Sequence, residues 1–370
     1  NFPVAIPYWH MAIALVEGNT VVWKPAEQTP WCARIVAEMF DDAGVPDGVF
    51  NLVQGHGEAG NAVVEDDRVD TVLFTGSAEV GHRVDEKLGG RPGRNACCEM
   101  GGKNSIVVTE AADMDIAVHS AVLSAFKTTG QRCVSAERVV VHTDVYDEFE
   151  RRFVDLAEDV TVGDPRSEET FMGPLADADQ VAKFRRYNGL ARAHGDTTVL
   201  VDRAELGPEE RPGAHDGAAG AADGAGPESD ADGFWVGPFV YAVDADTDLE
   251  PFREEVFGPH VALVPYDGGV ERAVEIANDT PYGLAGAIVS EDYRQLNYYR
   301  DHAEVGLAYA NLPCIGAEVQ LPFGGVKKSG SGPPHAREVI DAVTERTAWT
   351  LNNGTEIRMA QGLSATIDRE

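Results

Sequence analysis

Short β-branched, apolar runs alternate with longer amphipathic stretches, and glycines mark the changes between them. This alternation limits the fold more than any other feature. Val21–Trp23, Phe50–Val53, Thr71–Phe74 and Ala96–Glu99 read as strands. Trp31–Ala43, a turn and short helix within Gly55–Glu65, and Ala78–Leu88 read as the helices between them. A chain that crosses over through a helix returns in the same direction, so such strands pair in parallel. The expected fold is α/β, with an open parallel sheet whose carboxyl ends line a crevice.

A second α/β unit follows Gly101. Its predicted strands are Ser105–Val108, Arg138–His142, Val261–Pro265, Ala287–Val289 and Leu307–Ala310. Its predicted helices are Ile116–Phe126 with an acidic start at Asp113 or Asp115, Tyr146–Val160, Phe184–His194, Val270–Asn278 and Tyr293–His302. The expected division is a first α/β unit over 1–101, a second over 102–325, and a return segment over 326–370. Residues 207–233 are dominated by Gly, Ala, Pro, Asp and Glu, with no apolar side chain larger than alanine apart from proline, and are expected to form a disordered acidic insertion. Ala348-Trp349-Thr350-Leu351 reads as an exposed strand for pairing with another subunit.

Composition excludes some functions. Among 370 residues, 62 acidic side chains outweigh 30 basic ones, for a net charge of −32. Such a surface repels phosphate backbones, so no nucleic-acid partner is expected. No run of 18 apolar residues predicts a membrane span. Only seven of the basic residues are lysine, which suits a protein kept soluble in concentrated salt or simply an acidic enzyme. Five cysteines make no disulfide framework and fit a reducing cytoplasm. The chain opens at Asn1-Phe2-Pro3-Val4, without Met or a signal peptide, as though cut from something longer.

The chemistry centres on Gly130-Gln131-Arg132-Cys133, in a loop between a helix and a strand. A cysteine on such a loop is better placed to react than one within a strand, although an incidental buried cysteine is the commoner case. Glu99-Met100-Gly101-Gly102-Lys103 puts a carboxylate at a strand end before a flexible turn. Glu99 there is either a proton acceptor or a solvated strand end. Phe74-Thr75-Gly76-Ser77 enters a helix through small residues, offering free amides and a helix dipole to a phosphate. Gly55-His56-Gly57-Glu58-Ala59-Gly60 spells G-x-G-x-x-G after a strand, a weak signal in a chain with 39 glycines. Gly57 and Gly76 are nonetheless candidates for backbone approach to a cofactor. Lys24 and Glu27 close the first strand as a ribose-binding pair or a surface ion pair. Glu254-Glu255-Val256-Phe257-Gly258-Pro259 sets a carboxylate and an aromatic on a rigid turn. The cysteines lack a second pair at ligand spacing, so no metal is expected.

Taken in order, these motifs, with Asn1-Phe2-Pro3 and Pro322-Phe323-Gly324-Gly325, resemble the aldehyde dehydrogenase superfamily over nearly the whole chain. The 34-residue spacing from Glu99 to Cys133 resembles that family as well. The resemblance implies that Cys133 attacks the aldehyde to give a thiohemiacetal, and that Asn1 with the Cys133 amide holds the oxyanion. Hydride then passes to the nicotinamide, and Glu99 activates the water that hydrolyses the thioester. It also implies adenosine-ribose binding by Lys24 and Glu27, pyrophosphate binding by Ser77, nicotinamide-ribose binding by Glu255 with Phe257 beside the ring, and an aldehyde pocket at Phe323. A carboxylate at position 27 favours NAD, with NADP possible beside Lys24.

Gly316–Pro322 resembles relatives that oxidise carboxylate-bearing semialdehydes such as 2-oxoglutarate semialdehyde. Arg132 is then a candidate anchor for the substrate carboxylate, or else a salt-bridge partner of a neighbouring acid. The expected partners are a small-molecule aldehyde and further copies of the chain, in a homodimer or homotetramer. Two other readings stay open: a cofactor-independent thiol hydrolase using only Cys133 and Glu99, and a truncated or inactive structural relative.

Overall fold

The computed structural model describes residues 1–206, 210 and 233–354. The expected insertion over 207–233 therefore lies outside the described residues, except for Glu210 and Gly233.

The larger unit is a seven-stranded sheet in the order β12-β11-β5-β6-β9-β8-β7. These strands are β5 (Asn104–Val108), β6 (Ala136–His142), β7 (Thr198–Asp202), β8 (Phe239–Ala242), β9 (His260–Tyr266), β11 (Ala285–Val289) and β12 (Leu307–Ala310). All pair in parallel except β7 with β8. Side chains alternate across a strand, so both faces of the sheet are filled. Ile106, Val108, Val139 and Val141 face one core, shared with α5 (Met114–Phe126) and α6 (Thr143–Glu158). Val107, Val140 and Val264 face the other, shared with α7 (Ala178–Ala193), α9 (Val270–Asn278) and α10 (Tyr293–His302). The short α8 (Glu250–Arg253) lies against α7. Asp113 caps α5, accepting from Ile116 N at 3.0 Å.

The first unit differs from the expected single sheet. β1 (Val21–Trp23) pairs only with β2 (Phe50–Leu52), whereas β3 (Thr71–Thr75) pairs with β4 (Asn95–Glu99) in a separate sheet. Among the described residues no strand joins the two. Helices α2 (Pro30–Asp42), α3 (Gly57–Glu65) and α4 (Ala78–Leu88) follow β1, β2 and β3 in turn. The proline-interrupted α1 (Ala5–Val16) was not legible in the sequence.

The C-terminal part adds two-residue strands. β13 (Val326–Lys327) pairs with β10 (Tyr282–Gly283), and β14 (Gly330–Ser331) adds antiparallel to β4. Helix α11 (Ile340–Val343) then packs on α1. Residues 348–351 form no strand within the chain, and Trp349 is 82% exposed.

The core of the larger unit is aromatic where α5 and α6 meet. Phe153 is fully buried, with ring centroids 5.8 Å from Phe126 and 5.5 Å from Phe149. Phe153→Ala should cost about 3–5 kcal/mol in urea unfolding, whereas Met39→Ala, at a 64% exposed position, should stay within about 0.5 kcal/mol.

Candidate active site

Cys133 follows an unusual turn. Thr128 and Thr129 both take left-handed backbone conformations at φ 57°, and Gly130 continues at φ 67°. A β-branched residue there costs about 1–3 kcal/mol, so neighbouring contacts must hold it. Thr129 Oγ1 donates to Gly173 O at 3.0 Å, and Arg132 Nε donates to Thr128 Oγ1 at 2.9 Å. Gly130 is required, because a Cβ there would lie 2.3 Å from the carbonyl oxygen of Gly258. The two loops carrying Cys133 and Glu255 thus meet backbone to backbone.

Asn104 fixes the next step. Its side-chain amide donates to the carbonyls of Cys133 and Ser135, both at 2.8 Å, and its Oδ1 accepts from Ala285 N at 2.9 Å. The half-buried Cys133 thiol is pushed up to about 12, first by burial and then by the charges of Glu255 and Glu99. The amides of Val134 and Cys133 pull in the opposite direction.

Glu99 closes β4 between Thr75 and Gly330. It is 4% exposed, and its Oε2 is buried without a hydrogen-bond partner. Burial raises its carboxyl to about 9, against a smaller opposing pull from the Gly325 amide. A Cβ on Gly324 would come within 3.0 Å of its Oε1, which places the carboxylate against the segment that follows Phe323. Phe323 is buried edge-on against Trp9, with centroids 5.7 Å apart. Trp9 was missed in the sequence because it sits outside the recognised string Asn1-Phe2-Pro3. Asn1 is exposed, its Oδ1 accepting from Phe2 N at 3.0 Å, and its amino end feels the charge of Cys133.

Among the described residues, no carboxylate bridges to Arg132. Besides Thr128, its guanidinium donates to Ile315 O at 3.3 Å and lies 5.2 Å from the Phe2 ring centroid. Of the two readings of Arg132, the salt bridge thus finds no partner among the described residues, and a hydroxyl, a carbonyl and an aromatic face hold the guanidinium.

The remaining predicted residues lie at the end of β1, at the starts of α3 and α4, and on the turn before β9. Glu255 Oε1 accepts from Gly102 N at 3.1 Å, and burial with the charge of Glu137 raises its carboxyl to about 7. Phe257 beside it is left-handed at φ 61°. The Gly76 amide donates to Glu99 O at 3.1 Å, while Ser77 caps α4. Lys24 and Glu27 form a 3.0 Å ion pair at the end of β1, and the Lys24 chain lies over Gly60. Gly57 opens α3, which has no side-chain cap, and the space where its Cβ would stand is open. Among the described residues, no group of three or more His, Cys, Asp or Glu side chains could hold a metal ion, and no helix is long and apolar enough to cross a membrane.

The sequence profile of the Aldehyde dehydrogenase family matches residues 1–215 and 211–349. The chain belongs to this family. It is 36% identical over 348 residues to an alpha-ketoglutaric semialdehyde dehydrogenase of Bacillus subtilis, covering 93% of this chain and 66% of that protein. An alpha-ketoglutarate semialdehyde dehydrogenase of Haloferax volcanii is 37% identical, over 90% of this chain and 64% of its own length. A 1-pyrroline-5-carboxylate dehydrogenase of Geobacillus thermodenitrificans is 38% identical, over 90% and 60%. The chain therefore spans between 60% and 66% of these curated relatives.

Among solved structures, gamma-glutamyl-gamma-aminobutyraldehyde dehydrogenase from Burkholderia cenocepacia superposes with a TM-score of 0.82 at 31% identity, over 93% of this chain and 65% of that one. Betaine aldehyde dehydrogenase from Staphylococcus aureus in complex with NAD+ gives 0.80 at 29%, over 92% and 63%. The open α/β architecture is the family's.

The buried Glu99 carboxyl has a consequence for stability. Its folded value near 9 exceeds the ordinary 4.5, so folding takes up a proton between these values. The protonated carboxyl's contribution is fully present below about pH 4.5 and is lost as pH rises through about 9. Glu99→Gln should flatten the decline in urea midpoint across this window and raise the midpoint at alkaline pH.

Proposed function

We propose that this protein oxidises an aldehyde to a carboxylic acid through a thioester on Cys133, with NAD as the hydride acceptor. The observation that carries the reading is the buried carboxyl of Glu99, one oxygen of which has no partner, in the same electrostatic field as the loop-borne Cys133 thiol.

The residues present fit a dinucleotide. The first amides of a helix have no partner within it, and the starts of α3 and α4 offer such amides at Gly57 and after Ser77. Lys24 with Glu27 would hold the adenosine ribose, and Glu255 the nicotinamide ribose, with Phe257 beside it. A carboxylate at Glu27 selects NAD over a cofactor bearing a 2′-phosphate. NAD, when bound, supplies the hydride acceptor and a fixed positive charge that favours the thiolate.

The sulfur of Cys133 bonds to the aldehyde carbon, and the carbonyl oxygen becomes an oxyanion held by the Cys133 amide and the Asn1 side chain. Loss of hydride leaves the thioester. Glu99 then takes a proton from the water that attacks it, the Cys133 sulfur leaves, and the carboxylic acid is released. A carboxyl held near 9 is a strong base once ionised, and its burial keeps bulk water from competing for it.

The aldehyde bears its own carboxylate. The names of the relatives, alpha-ketoglutarate semialdehyde and 1-pyrroline-5-carboxylate dehydrogenases, support this substrate class. Arg132 supplies a guanidinium beside the nucleophile, already oriented by Thr128 and Ile315. Exposed Trp349 and Leu351 support association through residues 348–351 into a homodimer or homotetramer. Five free cysteines agree with a cytoplasmic location, and the acidic, lysine-poor composition agrees with a salt-rich one.

Reduced-cofactor absorbance tests the scheme. Cys133→Ala should lower turnover of 2-oxoglutarate semialdehyde by at least about 1000-fold. Glu99→Gln should release one equivalent of NADH per site and then stall, whereas the wild-type steady rate should climb with pH toward about 9. Normal steady turnover by Glu99→Gln would remove Glu99 as the base. For Arg132→Ala, kcat/KM should fall about tenfold or more for the semialdehyde and little for propanal; equal losses would count against the anchor.

A further inference from the structure

We infer that Lys103 and Glu137 are positioning residues, a buried ion pair that holds Glu255 and Phe257 in their cofactor-binding geometry. The inference deepens the proposed function and rests on its placing of Glu255 at the nicotinamide ribose. Lys103 immediately precedes β5, and Glu137 is the second residue of the adjacent β6. Their side chains are 0% and 3% exposed and are joined by a direct contact between Nζ and Oε2. A buried ion pair is often no better for stability than apolar residues of the same volume, because both charges must be stripped of water. Packing alone therefore does not explain the pair.

The contacts of Glu137 do. Its carboxylate accepts from Val256 N at 3.0 Å to each oxygen and from Phe257 N at 2.8 Å. These amides belong to the turn in which Phe257 is left-handed, a conformation a bulky side chain holds only under constraint. Glu255, one residue earlier, is thereby directed back over Gly101, where a Cβ would lie 2.2 Å from its carboxylate. Its Oε1 accepts from Gly102 N, and Gly102 precedes Lys103. The contacts form a closed circuit from Lys103 through Glu137, Val256 and Phe257 to Glu255, and back through Gly102.

The circuit is anchored from outside. Arg138 donates to Lys103 O at 3.2 Å and to Ile276 O and Ala277 O at 3.2 and 2.8 Å. Lys103 neutralises Glu137 without touching the loop, and Glu137 reads the loop's backbone rather than its side chains. Of these groups Glu255 acts on the Cys133 thiol, through a charge that opposes the thiolate. The pair should therefore govern cofactor affinity, and displacing Glu255 should leave the thiol as reactive as before or more so, because a charge opposing the thiolate is moved away.

Glu137→Gln tests this in the full chain, with Lys103→Met/Glu137→Gln as a second variant that removes both charges together. NAD affinity is measured by fluorescence titration, and Cys133 reactivity by the rate of iodoacetamide alkylation without NAD. The expected result is at least a tenfold weaker NAD affinity and a raised KM for NAD, with alkylation as fast as in wild type or faster. Unchanged NAD affinity in either folded variant overturns the inference. Parallel loss of affinity and alkylation, or failure of both variants to fold, also overturns it and makes the pair a support of the whole core. If the wild-type chain itself binds no NAD, the proposed function fails first, an outcome distinct from a wild type that binds and a variant that binds equally.

Discussion

The site depends on the approach of Gly130 to Gly258, close enough to leave no room for a side chain. One partner belongs to the loop that presents Cys133, the other to the loop that presents Glu255 and Phe257. Neither loop can shift without the other. This explains why three successive residues, Thr128, Thr129 and Gly130, can remain left-handed: relaxing the turn would separate the loops and break the Thr129 bond to Gly173. Strain of this kind persists where the surroundings over-determine a conformation, and here they determine where the sulfur stands.

Between the loops lies a seam with an acidic surplus. Cys133, Glu99 and Glu255 all titrate above their ordinary values, because burial disfavours each charge and both carboxylates oppose the thiolate. Of the cations at its border, Lys103 is engaged with Glu137 and Arg132 with Thr128, Ile315 and Phe2, while Lys183 offsets part of the charge at Glu255. A seam in this state gains from an arriving positive charge, which would favour the thiolate. Cofactor binding and activation of the nucleophile are thus two consequences of one charge distribution.

Much of the architecture was legible because hydrophobic periodicity is local. Ala78–Leu88, Val270–Asn278 and Tyr293–His302 form the helices that the pattern predicts. Helix α7 begins at Ala178 rather than Phe184, since its first turn is polar and its start is set by the Asp177 cap, which accepts from Gln180 N at 2.9 Å. The two-residue strands β10, β13 and β14 had no pattern of their own and exist through distant partners. The same distinction applies to the site. Cys133 and Glu99 stood out within compact strings, but Asn104 acts on a carbonyl 29 residues away and Glu137 on amides 119 and 120 residues away. Only the folded sheet brings those groups together.

Glu99 and Glu137 show how environment divides the labour of one residue type. Both are buried at strand ends or starts facing the same seam. Glu137 has its lone pairs taken by Lys103 and two backbone amides, so it has little capacity left to accept another hydrogen bond. Glu99 leaves one oxygen without a partner, an arrangement that is unfavourable for folding because a buried acceptor has lost its water. That deficit is what a base requires, since an acceptor already satisfied by the protein has no affinity to spare for a substrate water. The stability forgone at position 99 and the rigidity gained at position 137 are therefore complementary: one carboxylate is left open to react, and the other is closed so that the loops around it stay in place.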